Sequence, residues 1–261
     1  KKAEELDDRA LSLVHPASYV DYLNRSEPKQ STIRLDADTY MSPGSLRASK
    51  LAAGACVDAI TDILRKKTNR AFCAIRPPGH HAEIASAMGF CIFNNIAVAA
   101  EFALASQDIN RIAIVDFDVH HCNGTVDIFK DRPEVLVCSS FQENYYPHRY
   151  LNFSNSHIIT SPLQGGAGSS NFRAAIEKDW LPALDQHRPD LLLISAGFDA
   201  HEQDPLGQLS LHEEDFAWVT GQLIGLAADH SDGRIMSTLE GGYNLSALAN
   251  SVEAHVAALM Q

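Results

Sequence analysis

The sequence predicts an α/β protein, a three-layer αβα sandwich built on a mostly parallel central sheet. Three observations predict it. Short apolar runs alternate with amphipathic segments of helical period along all 261 residues. Several runs are apolar almost without a break, as strands are when both faces of a sheet are covered. No repeat, low-complexity stretch or linker interrupts the alternation, so residues 1–261 read as one domain.

In chain order, amphipathic patterning predicts helices over 4–14, 16–23 and 46–66, then 93–104, 125–129, 172–184, 212–228 and 246–259. Between them, apolar runs predict strands over 71–75, 112–117, 135–139, 157–160, 191–195 and 235–239. Gly165-Gly-Ala-Gly168 precedes a helix but lacks phosphate-loop spacing, so it reads as a connection.

Composition narrows the function. Lys and Arg total 21 against 33 Asp and Glu, a formal charge of −12, which argues against a duplex nucleic-acid binder. An acidic protein suits cationic substrates such as lysine-rich segments or polyamines. The five cysteines (Cys56, Cys73, Cys91, Cys122, Cys138) are odd in number and form no CxxC pair, so a reducing, cytoplasmic setting is expected rather than a disulfide framework. No apolar run is long enough to span a membrane. Lys1-Lys-Ala-Glu-Glu5 resembles no signal peptide, and the absence of an initiating Met leads us to expect a missing opening segment.

In parallel sheets, sites form beyond the carboxyl ends of the strands. Four predicted strands end in unusual chemistry: Arg76-Pro-Pro-Gly-His80-His81, Asp116-Phe-Asp118-Val-His120-His121, Ala196-Gly-Phe-Asp199-Ala-His201, and Glu240-Gly-Gly-Tyr243-Asn244. The predicted fold brings these four loops to one sheet edge.

Asp116, Asp118 and His120 share one side of an extended backbone. Asp118, His120 and Asp199 offer three protein ligands with an open position, the pattern of a catalytic divalent ion. Zinc is the usual occupant, and the hard donors also suit ferrous iron or manganese. Tandem His80 and His81 suit two proton-handling roles, with Asp116 and Asn123 as candidate partners for their far nitrogens. Tyr243 can donate to an oxyanion without carrying charge. His121 lies off the metal face, His201 reads as an exposed loop residue, and Cys122 reads as packing. Together these groups point to metal-assisted hydrolysis of an amide.

These motifs carry a resemblance. Arg76-Pro-Pro-Gly-His-His-Ala-Glu83, Gly89-Phe-Cys-Ile-Phe-Asn94, Val115-Asp-Phe-Asp-Val-His-His121 with Asn123-Gly-Thr125, Ser195-Ala-Gly-Phe-Asp-Ala200 with Asp204-Pro-Leu-Gly207, and Leu239-Glu-Gly-Gly-Tyr-Asn-Leu245 occur in family order. The chain resembles the zinc-dependent histone deacetylases, class II type, of the arginase–deacetylase fold. The resemblance implies hydrolytic removal of acetyl or other short acyl groups from lysine side chains of a protein or peptide. It makes Asp118, His120 and Asp199 the zinc ligands, His80, His81, Asp116 and Asn123 the proton-handling set, and Tyr243 the catalytic tyrosine. Phe90 and Tyr146 become walls of the acyl-lysine tunnel, and the Gly89 carbonyl accepts the substrate amide. A structural potassium ion is implied beside zinc, at Asp116, Asp118, His120 and the Ser139–Ser140 strand end. Leu206 stands where polyamine-specific relatives carry a Glu gatekeeper, which favours acyl-lysine. No direct nucleic-acid or membrane partner is implied; the oligomeric state is left open.

Departures are visible too. Cys122 replaces a usual Gly, Gln208 replaces another, and the 141–156 segment lacks the family's Pro-Gly-Thr-Gly pattern. The residues leave two other readings open: an amidohydrolase of acetylated polyamines or other small amines, and a catalytically silent acyl-lysine-binding module.

Overall fold

A computed structural model describes residues 1–261. The elements in chain order are α1 (Asp8–Leu11), α2 (Ala17–Ser26), β1 (Ile33–Arg34), β2 (Tyr40–Met41), α3 (Ser45–Leu64), β3 (Arg70–Cys73), α4 (Asn95–Leu104), β4 (Ile112–Asp116) and α5 (Asn123–Phe129). They continue with β5 (Val135–Gln142), β6 (Ile158–Leu163), α6 (Ser169–Ala175), a π-helical turn (Ile176–Trp180), α7 (Leu181–His187), β7 (Leu191–Ala196), α8 (Glu213–His230), β8 (Ile235–Leu239) and α9 (Leu245–Leu259). Six strands form one parallel sheet in the order β3-β8-β7-β4-β5-β6.

The apolar runs explain the layers. In the central strands, successive side chains go to opposite faces. Ala113, Val115, Leu136, Cys138, Leu192 and Ile194 enter one core with residues of α6 to α9. Ile112, Ile114, Val135, Val137, Leu191 and Leu193 enter the other, with residues of α3, α4 and α5. A strand buried on both sides must be apolar at every position, which is what β4 and β7 show until their last residues.

Two expectations need correction. The predicted helix 4–14 shrinks to Asp8–Leu11: Asp7 caps it by accepting from Ala10 N at 2.8 Å, while Leu6 N donates to the Lys50 carbonyl of α3 at 3.1 Å. Residues 4–6 thus lie against α3, where a Cβ at Gly54 would strike the Glu4 carbonyl. The predicted helix 172–184 is not continuous α-helix. Pro182 has no N–H to offer the Lys178 carbonyl, and the register widens to the π turn just before it. The β1–β2 ribbon pairs only two residues a side, too few to carry a periodic signal in sequence.

Trp180 ends the π turn and is fully buried. Trp180→Ala is expected to cost about 3–5 kcal/mol of unfolding free energy, measured by denaturant titration.

Candidate active site

The chain runs outward from β4 to β5 and β6, then returns to place β7 against the other side of β4. A crevice therefore opens beyond the carboxyl ends of β4 and β7, at the switch point of the sheet. The loop after β4 supplies Asp118 and His120, and the loop after β7 supplies Asp199. Next to β7 stands β8, leading to Tyr243, and beyond it β3, leading to His80 and His81.

Asp118, His120 and Asp199 are buried, with one ligand atom each within 4.8 Å of the others. Backbone amides pin the carboxylates: Val119 N donates to Asp199 Oδ1 at 2.9 Å, and Gly241 N to Asp118 Oδ2 at 2.9 Å. His120 Nδ1 lies 3.0 Å from Asp118 Oδ1 and 3.1 Å from Asp199 Oδ2. The second approach is close enough for an ion pair but misdirected for a hydrogen bond, so Asp199 Oδ2 has no donor. Burial, then the neighbouring Asp118 charge, pushes the Asp199 carboxyl up to about 7. A buried oxygen without a donor, two carboxylates and an imidazole nitrogen facing it fit a divalent cation.

Space around the donors is reserved by glycine. A Cβ at Gly197 would strike the Asp118 carboxylate, and one at Gly241 would strike Asp199. Gly197→Ala is therefore expected to lower affinity for a divalent cation by about tenfold or more, read by competition with a chromophoric chelator.

The tandem histidines sit in contrasting surroundings. His80 Nδ1 is 2.9 Å from Asp116 Oδ2, whereas His81 Nδ1 is 2.7 Å from Asn123 Oδ1. Burial disfavours charge on His80, but Asp116, Asp118 and Glu240 outweigh it and raise its pKa to about 10. Burial holds His81 well below its ordinary range, reinforced by the charges of His80 and His120. The carboxylates around His80 favour its imidazolium, whereas burial and the charges of His80 and His120 favour a neutral His81.

Both rings line a cavity of about 400 Å³ together with Gly89, Phe90, His120, Tyr146, Leu206 and Tyr243. Phe90 meets Tyr243 edge-on at 6.0 Å, and Tyr146 meets His81 edge-on at 5.1 Å. Burial, followed by the Asp199 and Asp118 charges, raises the Tyr243 hydroxyl pKa, so it stays protonated. Gly89 and Phe90 both have positive φ, at 58° and 66°. Only glycine fits the first, because a Cβ there would strike the His81 ring. Asp38 and Thr39 hold this strained pair by accepting from Gly89 N at 2.9 Å and Phe90 N at 3.1 Å.

The model of the histone deacetylase domain matches residues 1–259. The chain belongs to the histone deacetylase family. It is 35% identical over 251 residues to the histone deacetylase-like amidohydrolase of Pseudomonas aeruginosa, covering 94% of this chain and 66% of that protein. It is 36% identical over 263 residues to histone deacetylase 10, chloroplastic, of rice (Oryza sativa subsp. japonica), covering 95% of this chain and 59% of that protein. The chain thus spans roughly three fifths to two thirds of these relatives' lengths. The solved HDA15 HD domain aligns with a TM-score of 0.94 at 36% identity, over 100% of this chain and 74% of that one. The αβα fold is accordingly that of the deacetylases.

Within this deacetylase fold, all the site residues named from sequence converge on the cavity or its immediate support. Several supporting residues were missed. Glu240 is buried and accepts from Gly79 N at 2.7 Å, His80 N at 3.1 Å and Ser195 Oγ at 3.0 Å, fixing the histidine loop to two strand ends. Asp204 accepts from Tyr243 N at 2.7 Å. Tyr145 stacks on His120 at 5.7 Å. Glu240-Gly-Gly and Asp204-Pro-Leu-Gly207 were visible signals, but neither carboxylate had a partner in sequence that assigned it a role.

His201 was expected on an exposed loop but is buried. Its segment pairs in parallel with Leu211, and its ring packs near Glu213, 3.6 Å away at the start of α8. His121 is off the metal cluster as expected, bonded to Ser139 Oγ at 3.0 Å and packed on Phe141. Cys122 is a core residue whose thiol pKa burial raises well above its usual range. Gln208 N donates to Gln142 Oε1 at 2.8 Å, and its side-chain Oε1 accepts from Gln142 Nε2 at 3.0 Å, a second bond that glycine lacks.

Proposed function

We propose that the chain is a metal-dependent deacylase that removes acetyl or other short acyl groups from lysine side chains of a protein or peptide. The observation that carries this reading is the floor of the cavity. There the donor set of Asp118, His120 and Asp199 meets His80 paired with Asp116, His81 paired with Asn123, and Tyr243 on the wall of the same cavity. A divalent cation held by these donors, zinc before ferrous iron or manganese, would supply an acidified water and a polarised acyl carbonyl.

The remaining work falls to the chain's own side chains. Neutral His81 takes the water proton and returns it to the departing lysine amine, with Asn123 orienting its ring. His80 stays cationic against Asp116 and balances the charge that develops at the carbonyl. Tyr243 donates to the forming oxyanion. Phe90 and Tyr146 flank the lysine methylenes, and the Gly89 carbonyl receives the amide N–H. Neutral, half-exposed Leu206 lines the cavity without a carboxylate to hold a second amine, which favours acyl-lysine over a polyamine. Potassium at Asp116, Asp118, His120 and Ser139–Ser140, which lie within β5 rather than at a strand end, belongs to the same proposal. Five cysteines, all free, fit a reducing, cytoplasmic setting. No helix is long and apolar enough to cross a membrane.

The test is the purified protein loaded with zinc and offered acetyl-lysine peptide, trifluoroacetyl-lysine peptide and acetylated polyamines. Turnover of the peptides is expected. Turnover of the polyamines alone would move the substrate to small amines. No turnover of any of them with zinc bound would leave a silent binding module.

A further inference from the structure

We infer that Glu83 and Arg149 are positioning residues that fix which ring nitrogen of His81 carries the proton. The inference rests on the reading of His81 as the proton acceptor. It starts from an ambiguity in the His81–Asn123 pair. An asparagine amide can offer either its oxygen or its NH2 to an imidazole. With the oxygen facing His81 Nδ1, that nitrogen bears the proton and Nε2 is free to accept one. With the NH2 facing it, the proton moves to Nε2 and His81 ceases to be an acceptor there.

The far side of the Asn123 amide settles the orientation. Asn123 Nδ2 lies 2.8 Å from Glu83 Oε1, and a carboxylate oxygen can only accept. A flipped amide would press its oxygen against that carboxylate. The other acceptors on this side are weaker: the His81 carbonyl at 3.3 Å and the Met88 sulfur at 3.2 Å. The second Glu83 oxygen is 2.6 Å from Arg149 Nη1, which turns Oε1 toward Asn123. The Glu83 side chain is 12% exposed and the Arg149 side chain 53%, so one end of the chain is buried and the other is at the surface. Arg149 sits in the same segment as Tyr145 and Tyr146, which line the cavity, and this segment departs from the family's glycine-rich pattern.

The backbone here is held independently of these side chains. Thr125 N donates to His80 O at 3.2 Å, Ala82 N to Gly79 O at 3.0 Å, and Asn94 Nδ2 to Ala82 O at 3.2 Å. None of these bonds uses the Glu83 side chain, so the loop is expected to keep its place in a Glu83 variant.

Two readouts test the inference. In the resting protein labelled with 15N-histidine, His81 signals are identified by their loss in His81→Gln. Wild type is expected to show Nδ1–H, and Glu83→Leu to shift substantially toward Nε2–H. In turnover of acetyl-lysine peptide, Glu83→Leu is expected to lose about 10²-fold in kcat, the scale of a general base, with KM within about twofold. Arg149→Leu leaves the Glu83 acceptor in place and is expected to lose less than about tenfold. If the leucine variant does not fold, Glu83→Ala reads the same signal, because it too offers Asn123 Nδ2 no side-chain acceptor. An unchanged His81 tautomer in the folded Glu83 variant overturns the inference, as does an unchanged kcat. The tautomer is read without substrate, so a protein that turns over no peptide defeats the proposed reaction and leaves this measurement standing.

Discussion

Asp199→Ala is expected to bind no stoichiometric zinc and to lose more than about a hundredfold in kcat/KM on acetyl-lysine peptide, beyond the 10–100-fold typical of outer-lying partners. The reason is the place of this carboxylate. It comes from the loop after β7, while the other two donors come from the loop after β4, so it alone closes the cluster across the switch point. The substitution also has a stability signature. Burial raises the Asp199 pKa from 3.8 to about 7. Between those pH values the ion-free folded protein holds a proton that the unfolded chain has released, so stability falls as pH rises through that window. Asp199→Asn removes this contribution and flattens the fall; a slope remains, because Glu240 is likewise raised from 4.5 to about 7 by burial. Zinc at pH 8 is expected to raise the wild-type melting temperature and to leave that of Asp199→Ala unchanged. Normal zinc loading in Asp199→Ala would remove it from the ligand set.

Tyr243→Phe is expected to bind zinc like wild type and to lose about 10²- to 10³-fold in kcat with little change in KM. The phenylalanine ring keeps the edge contact with Phe90, and the loop stays anchored through the Tyr243 backbone amide on Asp204. Only the hydroxyl is removed. Because burial and two carboxylates raise its pKa, the hydroxyl stays a donor throughout the working pH range. The kcat loss is therefore expected to be flat from pH 6 to pH 9. A variant within about threefold of wild type at matched zinc occupancy would deny Tyr243 its role.

Much of this was legible in the residues. The β4 run Ile112-Ala-Ile-Val-Asp116 announces a doubly covered strand, and its exit into Asp118 and His120 announces a site. The contrast between His80 and His81 was legible as a difference between carboxylate and amide partners. Less visible were groups whose role depends on what lies opposite. Nothing near Asp38 or Thr39 in sequence tells that they hold the strained Gly89-Phe90 pair. Glu83 is an ordinary acidic residue until Asn123 and Arg149 are placed on either side of it. His201 looked exposed because its covering partners, Leu211 and the start of α8, come later in the chain.

By itself the sequence determined the layers, the strand ends that carry chemistry, and the donor types that fit a divalent ion. Those are properties of local patterning, and side-chain period and ligand chemistry do not need distant neighbours. Tertiary structure alone decided the closeness of Asp199 to Asp118, the orphaned Asp199 oxygen, the carboxylates that offset burial at His80 but not at His81, and the orientation of the Asn123 amide. Each depends on distance and desolvation between segments far apart in the chain, and electrostatic effects of this size appear only where burial has removed water.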